Sequence, residues 1–302
     1  MLKKILPIPP TLSPEYQHIL RKNLRFHILD GSFYSFGMSF VAIQTVFPVF
    51  IKMIGGNAVA VGAVPIIWIL AINFPMAWVA QLFSHTSSFY KPMVLFGLLH
   101  RIIFLLISMA AFFLIGNISS QTSVLLFLVL LFLLALFGGF GGLPWFQVYT
   151  KTVPVKLRGR LLALRQLIGS ISGAAGGYSV SLIIASVKFP ADFSILFLCA
   201  FLFTMVSMYA LSKIEEVSVN EFSFEVPERY SIITEIKKIL TADIRFRNYV
   251  LVDGLILMSL SATAFYSVYA IEKFQLSPAY AGTFTVIFML GNILANIVFG
   301  YV

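Results

Sequence analysis

The chain has 302 residues, 59% of them hydrophobic and only 11% charged. Its mean hydropathy of +0.95 excludes an ordinary water-soluble domain, in which about 25% of residues are charged. The formal charge of +9 would fit a nucleic-acid binder if the cations formed one patch with interleaved aromatics, but they are dispersed along the chain. Cys199, the single cysteine, excludes a disulfide framework or a CxxC site, and His18, His27, His85 and His100 lack metal-ligand spacing.

Residues 1–26 lack the apolar core of a signal peptide and read as a cytoplasmic N-terminal segment. Eight apolar runs follow, at about 27–52, 58–83, 92–115, 122–149, 161–187, 193–212, 248–271 and 279–302. Each is long enough to cross a hydrocarbon core of about 30 Å as a helix, and each ends at charges, prolines or polar turns. None alternates apolar and polar residues as a β-barrel strand does. The expected fold class is therefore all-α, a polytopic transmembrane helix bundle with about eight spans. The first six runs make a bundle over 27–212, the seventh and eighth open a second bundle over 248–302, and 213–247 is a cytoplasmic linker. Within that linker "IITEIKKIL" sets Ile232, Ile233, Ile236, Ile239 and Leu240 on one helical face, predicting an amphipathic helix at a membrane surface or over the bundle.

With the N-terminus cytoplasmic, one set of loops holds sixteen cations and the other only Lys52, Lys188 and Lys273. Such a positive-inside bias places both ends of an eight-span chain on the cytoplasmic side of a plasma or inner membrane, and accounts for the basic pI without any nucleic acid. The stretch "RFHILDGSFYSFG" (25–37) is echoed by "RFRNYVLVDGLIL" (245–257), so that Asp30-Gly31 matches Asp253-Gly254 about 220 residues later. An offset of six spans, entered from the same side, describes a parallel repeat, the arrangement that places a transport site between two halves.

The stretch "GGFGGLPWFQVYTKTVPVKLRGRLLALRQLIGSISGAAGG" (138–177) resembles the fourth span, inner loop and glycine-rich fifth span of the major facilitator superfamily of secondary transporters. On that resemblance Pro154, Arg158, Gly159 and Arg160 are the loop motif, the fold has about twelve spans of which eight are present, and a longer chain is expected. The loop after span two departs from the family pattern, with Ser84 and His85 where an Asp and an Arg would fall. The resemblance implies a secondary active transporter that moves a small solute by alternating access, needs no cofactor and draws on protons where it is ion-coupled. A non-transporting membrane sensor or scaffold is the alternative. A lipid-modifying membrane enzyme would call for His and carboxylates clustered at one interface, and nothing in the sequence marks a catalytic residue.

Ionisable groups inside spans mark function or a named partner. They are Asp30 and Asp253, Arg101 and Arg165. Counted from the flanking cations at ~1.5 Å per residue, Asp30, Asp253 and Arg165 share a shallow cytoplasmic layer, and Arg101 lies near the midplane. Two roles are open to the acids. One is proton coupling; the other, favoured by shallow depth and repetition, is a structural pair with Arg165 or a backbone cap at the inner mouth. Arg101 is either a substrate contact or part of an internal ion pair. Gln44, Asn73, Trp145, Gln147, Gln166, Tyr266, Asn292 and Asn296 are neutral candidates for lining a path, the last two sharing a face at i and i+4. Gly169, Gly173 and Gly177 present one smooth face of span five for close helix packing, and Gly138, Gly139, Gly141 and Gly142 are expected to loosen span four.

Overall fold

The computed structural model describes residues 6, 13–83, 88–216, 232–260 and 262–299. Ser84, His85 and the C-terminal "GYV" lie outside them. Among the described residues every regular element is a helix: α1 (Pro14–Ser39), α2 (Val46–Met53), α3 (Ala58–Asn73), α4 (Met76–Leu82), α5 (Tyr90–Phe113), α6 (Ser120–Thr152), α7 (Val155–Ser186), α8 (Ala191–Ser212), α9 (Ile232–Ala242), α10 (Ile244–Leu260), α11 (Thr263–Lys273) and α12 (Tyr280–Phe299).

Helix α1 begins well before the apolar run at 27. Ser13, Pro14 and Glu15 make a start signal that hydropathy ignores: the Ser13 hydroxyl accepts from the Tyr16 N–H at 3.3 Å, proline opens the first turn, and an acid follows. The run at 27–52 is in turn broken between α1 and α2 by the turn at Phe40–Thr45, and the run at 58–83 is broken at Phe74-Pro75. Pro75 has no N–H to continue the ladder of α3. Asn57 and Ser119 cap α3 and α6 through the N–H groups of Ala60 (2.9 Å) and Thr122 (3.2 Å). Pro154 separates α6 from α7 because the residue before a proline leaves the helical region.

Five stretches, α5, α6, α7, α8 and the run Ile244–Lys273 across α10 and α11, are long and apolar enough to cross a membrane. In the most apolar window of α6 only 28% of residues are buried. So much exposed apolar surface has no place in water and fits lipid. The protein is an integral membrane helix bundle. Helix α7 packs along both α1 and α12, α1 also along α8, α5 along α6 and α8, and α3 along α6.

The main core is phenylalanine-rich. Phe50 has Phe127, Phe193 and Phe197 around it at ring separations of 4.7, 5.1 and 5.0 Å. This core reaches α11 and α12 through Ala264, Val268 and Ala281. Nearby, Thr45 and Thr285 share a hydroxyl hydrogen bond of 2.5 Å, and Lys52 pairs with Glu272 at 2.8 Å. Two smaller apolar clusters, one on Leu20 and Tyr149 and one on Met93 and Met208, close the opposite, basic end.

Glycine sets the helix contacts more locally than one smooth face would. A Cβ at Gly169 or Gly176 would meet Ser35 or Ser39 of α1, whereas one at Gly173 or Gly177 would meet Met289 or the Gly282 carbonyl of α12. Helix α7 thus has two glycine contacts, one toward each neighbour. Nor is α6 loosened at its glycines. It runs unbroken from Ser120 to Thr152, and Gly139 lets the Ile72 carbonyl and Pro75 approach.

Candidate functional site

Between the phenylalanine core and the basic end, α1, α3, α5, α6, α7 and α8 line a partly open cavity of about 280 Å³. Its polar lining comes from Asp30, Tyr34, His100, Arg101, Trp145 and Arg165. Gly97, Gly138, Gly141 and Gly142 leave the space, and Ile72, Met93 and Phe137 give the wall an apolar part.

Asp30 is 3% exposed and Arg101 4%, so both charges need partners within the protein. Arg165 Nη1 donates to Asp30 Oδ2 at 2.8 Å and also to the His27 carbonyl, while its guanidinium stands 5.1 Å over the Trp145 ring. The Ser207 hydroxyl donates to Asp30 Oδ1 at 2.7 Å. Ser207 in turn accepts from Arg101 Nη2 at 2.8 Å. Arg101 also donates from Nε to the Thr204 carbonyl (2.5 Å) and from Nη1 to the Gly97 carbonyl (2.8 Å), and lies 5.7 Å over the Tyr34 ring. His100 Nδ1 stands 2.8 Å from the Leu134 carbonyl, which can only accept, so that nitrogen carries the proton. In a neutral ring Nε2 then accepts from the Tyr34 hydroxyl, 3.3 Å away.

Counting depth separately on each helix had put Asp30 and Arg101 in different layers, yet Ser207 joins them. The arginine side chain explains it. Arg101 lies 11 residues, about 16 Å, past Tyr90, but its side chain runs back one turn toward the start of α5, where Nη1 meets the Gly97 carbonyl. Glycine completes the fit, since a Cβ on Gly31 would touch the Arg165 guanidinium (2.9 Å) and one on Gly97 would crowd that of Arg101 (3.2 Å).

The second acid is placed differently. Asp253 is exposed on α10, with no hydrogen bond or ion pair among the described residues, and a Cβ at Gly254 would meet nothing within 4 Å. The repeated Asp-Gly therefore occupies two unlike environments, because Asp30 lies on a helix flanked by α7 and α8 whereas α10 packs mainly on α9. Gln44 and Tyr266 line a second cavity, of about 360 Å³, together with Thr45, Thr263, Ser267 and Phe284. Asn73 is exposed and donates to the Ile69 carbonyl of its own helix at 2.8 Å. Asn292 is half-buried and Asn296 exposed, and neither reaches a cavity described above.

The loop motif is structural. Arg158 donates to the Val153 (3.0 Å) and Thr150 (2.6 Å) carbonyls and so closes the C-terminus of α6, while Gly159 and Arg160 face outward. Glu215 and Glu216, counted in the sequence only as linker acids, fasten the basic end. Glu215 pairs with Lys22, and its backbone exchanges hydrogen bonds with the Asn23 side chain at 2.9 and 3.0 Å. The Glu216 carboxylate accepts from Ser88 Oγ (2.5 Å), from the Phe89 and Tyr90 N–H groups at the start of α5 (3.2 and 3.3 Å) and from Lys151 (3.0 Å). Burial pushes its pKa up, but these donors outweigh burial and hold it below the ordinary glutamate value.

Sequence reasoning also missed Tyr34, His100, Thr204 and Ser207. Their signal was weak, since a serine, a threonine or a lone histidine in an apolar run usually marks only an interhelical hydrogen bond. Among the described residues no three His, Cys, Asp or Glu side chains gather as metal ligands. No family model matches the chain, and no curated protein matches it, so the functional reading rests on this geometry.

Proposed function

We propose that the protein is a secondary transporter of the major facilitator kind, carrying a small solute through a plasma or inner membrane by alternating access. The observation behind this reading is the cavity at Asp30, Arg101 and Arg165. Three charges gathered around a space of about 280 Å³ within an apolar bundle are costly as mere scaffolding and are usual along solute and proton paths. The order of six apolar runs, a linker and two further runs, the Asp-Gly echo and the positive-inside bias support the same reading, with the N-terminus cytoplasmic. Protons are the coupling ion of this reading, because Asp30 is the one carboxylate among the residues lining the cavity.

A sensor that binds without transport is the second reading. It draws on the cavity's lining, which belongs wholly to α1, α3 and α5–α8 and includes nothing from α10–α12. Purified protein in proteoliposomes separates the two under an imposed pH gradient with a panel of labelled small solutes. Saturable flux that is lost in Arg101→Ala supports transport. Solute binding without flux for any member of the panel overturns it in favour of the sensor.

A further inference from the structure

The cavity is unbalanced in charge. Two guanidinium groups, Arg101 and Arg165, face one carboxylate, Asp30, while His100 lies between the Leu134 carbonyl and the Tyr34 hydroxyl, partners that suit a neutral ring. Both oxygens of Asp30 are engaged, one by Arg165 and the other by Ser207. No carboxylate of the described residues lies within ion-pair distance of Arg101. Its three bonds all go to neutral oxygens, of Gly97, Thr204 and Ser207. A guanidinium has five N–H groups, so two remain for a further acceptor. A net single positive charge at this depth calls for one negative charge.

Size and wall chemistry narrow the anion. Ligand pockets run to about 300–1,000 Å³, and this one stands at the small end. Trp145, Phe137, Ile72 and Met93 supply an apolar and aromatic part of the wall. A dianion would replace an excess of one positive charge by an excess of one negative, and a bare inorganic ion would leave the apolar wall without a partner.

We infer that the cavity binds a small organic monocarboxylate, its carboxylate on Arg101 and its apolar body against Trp145 and Phe137. A guanidinium fork matches a planar carboxylate, which a lysine ammonium would not orient in the same way. Carrying such a solute presupposes the transport reading proposed above, but its binding can be read without flux.

Purified full-length protein in nanodiscs should be titrated with benzoate, with its neutral isostere benzamide, and with benzylamine, phthalate, chloride and phosphate. Smaller and larger monocarboxylates, from acetate to naphthoate, complete the series. The expected result is saturable binding of at least one monocarboxylate, about tenfold or more tighter than its amide, that preference being lost in Arg101→Gln and partly kept in Arg101→Lys. Gly142→Leu is a second variant, because a Cβ there meets nothing closer than the Met76 Cε at 3.9 Å and the added bulk enters the cavity. It should abolish binding while the thermal midpoint is retained. Equal affinity for acid and amide, preference for the amine, the dianion or an inorganic ion, or no binding across the whole series would each overturn the inference. Carboxylate binding without flux sinks the transport reading alone. Flux of a neutral or cationic solute sinks the monocarboxylate alone.

Discussion

At the scale of single residues, the acid near the start of the first apolar run is accounted for by what surrounds it. Asp30 is the one carboxylate of a buried network, joined directly to Arg165 and through Ser207 to Arg101. Removing one member of such a pair strands the other charge, at a cost of about 3–5 kcal/mol for a fully buried pair. Arg165 keeps 13% of its side chain exposed, which puts Asp30→Asn toward the lower end of that range. The thermal midpoint should fall clearly in Asp30→Asn, and Asp30→Asn with Arg165→Gln should recover part of the loss, since no lone guanidinium then remains at that corner. An additive double variant would show that the two side chains do not depend on each other. If Asp30 also couples protons, Asp30→Asn should stop flux driven by a pH gradient while leaving exchange of solute for solute. Asp253→Asn should change neither midpoint nor flux, because that acid is exposed and engages none of the described groups.

Among the elements, α6 and α3 give the sharpest test of close packing. A Cβ at Gly139 would run into the Ile72 carbonyl and Pro75, backbone and ring atoms that cannot swing aside, whereas Gly142, three residues on, has room. Gly139→Ala should therefore destabilise by about 1–3 kcal/mol or more, and Gly142→Ala should be neutral or slightly stabilising through helix propensity; equal midpoints for the two would refute the contact. The same contrast shows what the sequence makes legible. Long apolar runs announce the spans, and the lone charges Asp30, Arg101 and Arg165 announce the cavity, because burying either feature carries a free-energy cost visible in composition alone. Hidden are the helix starts at Ser13-Pro14, the breaks at Phe40–Thr45 and Phe74-Pro75, and the partners of each charge. These depend on caps and on which faces meet, and a periodic apolar pattern leaves both open. Ser207 and Thr204 are ordinary residues until α8 is laid against α1 and α5. The exposure of Asp253 is equally a matter of neighbours, its sequence surroundings being much like those of Asp30.

For the whole molecule, the bundle is held at one end by aromatic packing and at the other by a clamp of charge. Phe50 and its ring neighbours close the first end, where the one ion pair among the described residues, Lys52 with Glu272, is exposed. At the basic end Glu215 and Glu216 tie the segment after α8 to α1, to the start of α5 and to the end of α6. In the alternating-access reading proposed above, one end opens while the other stays shut, and the end fastened by polar groups is the one whose closure can be tuned by charge. Because the folded pKa of Glu216 is depressed, its contribution to stability is fully present above the ordinary glutamate value of 4.5 and is lost as pH falls through the lower folded value. The thermal midpoint of the wild type should therefore drop on acidification below about pH 4.5. Glu216→Gln should start lower at neutral pH and show a smaller drop over the same interval. Exchanging the charges, Glu216→Lys with Lys151→Glu, should not restore the wild-type midpoint, because the lysine at 216 offers no acceptor to Ser88 Oγ or to the N–H groups of Phe89 and Tyr90. Full recovery in the exchanged variant would show that simple charge attraction holds this end, and the capping of α5 would then be incidental.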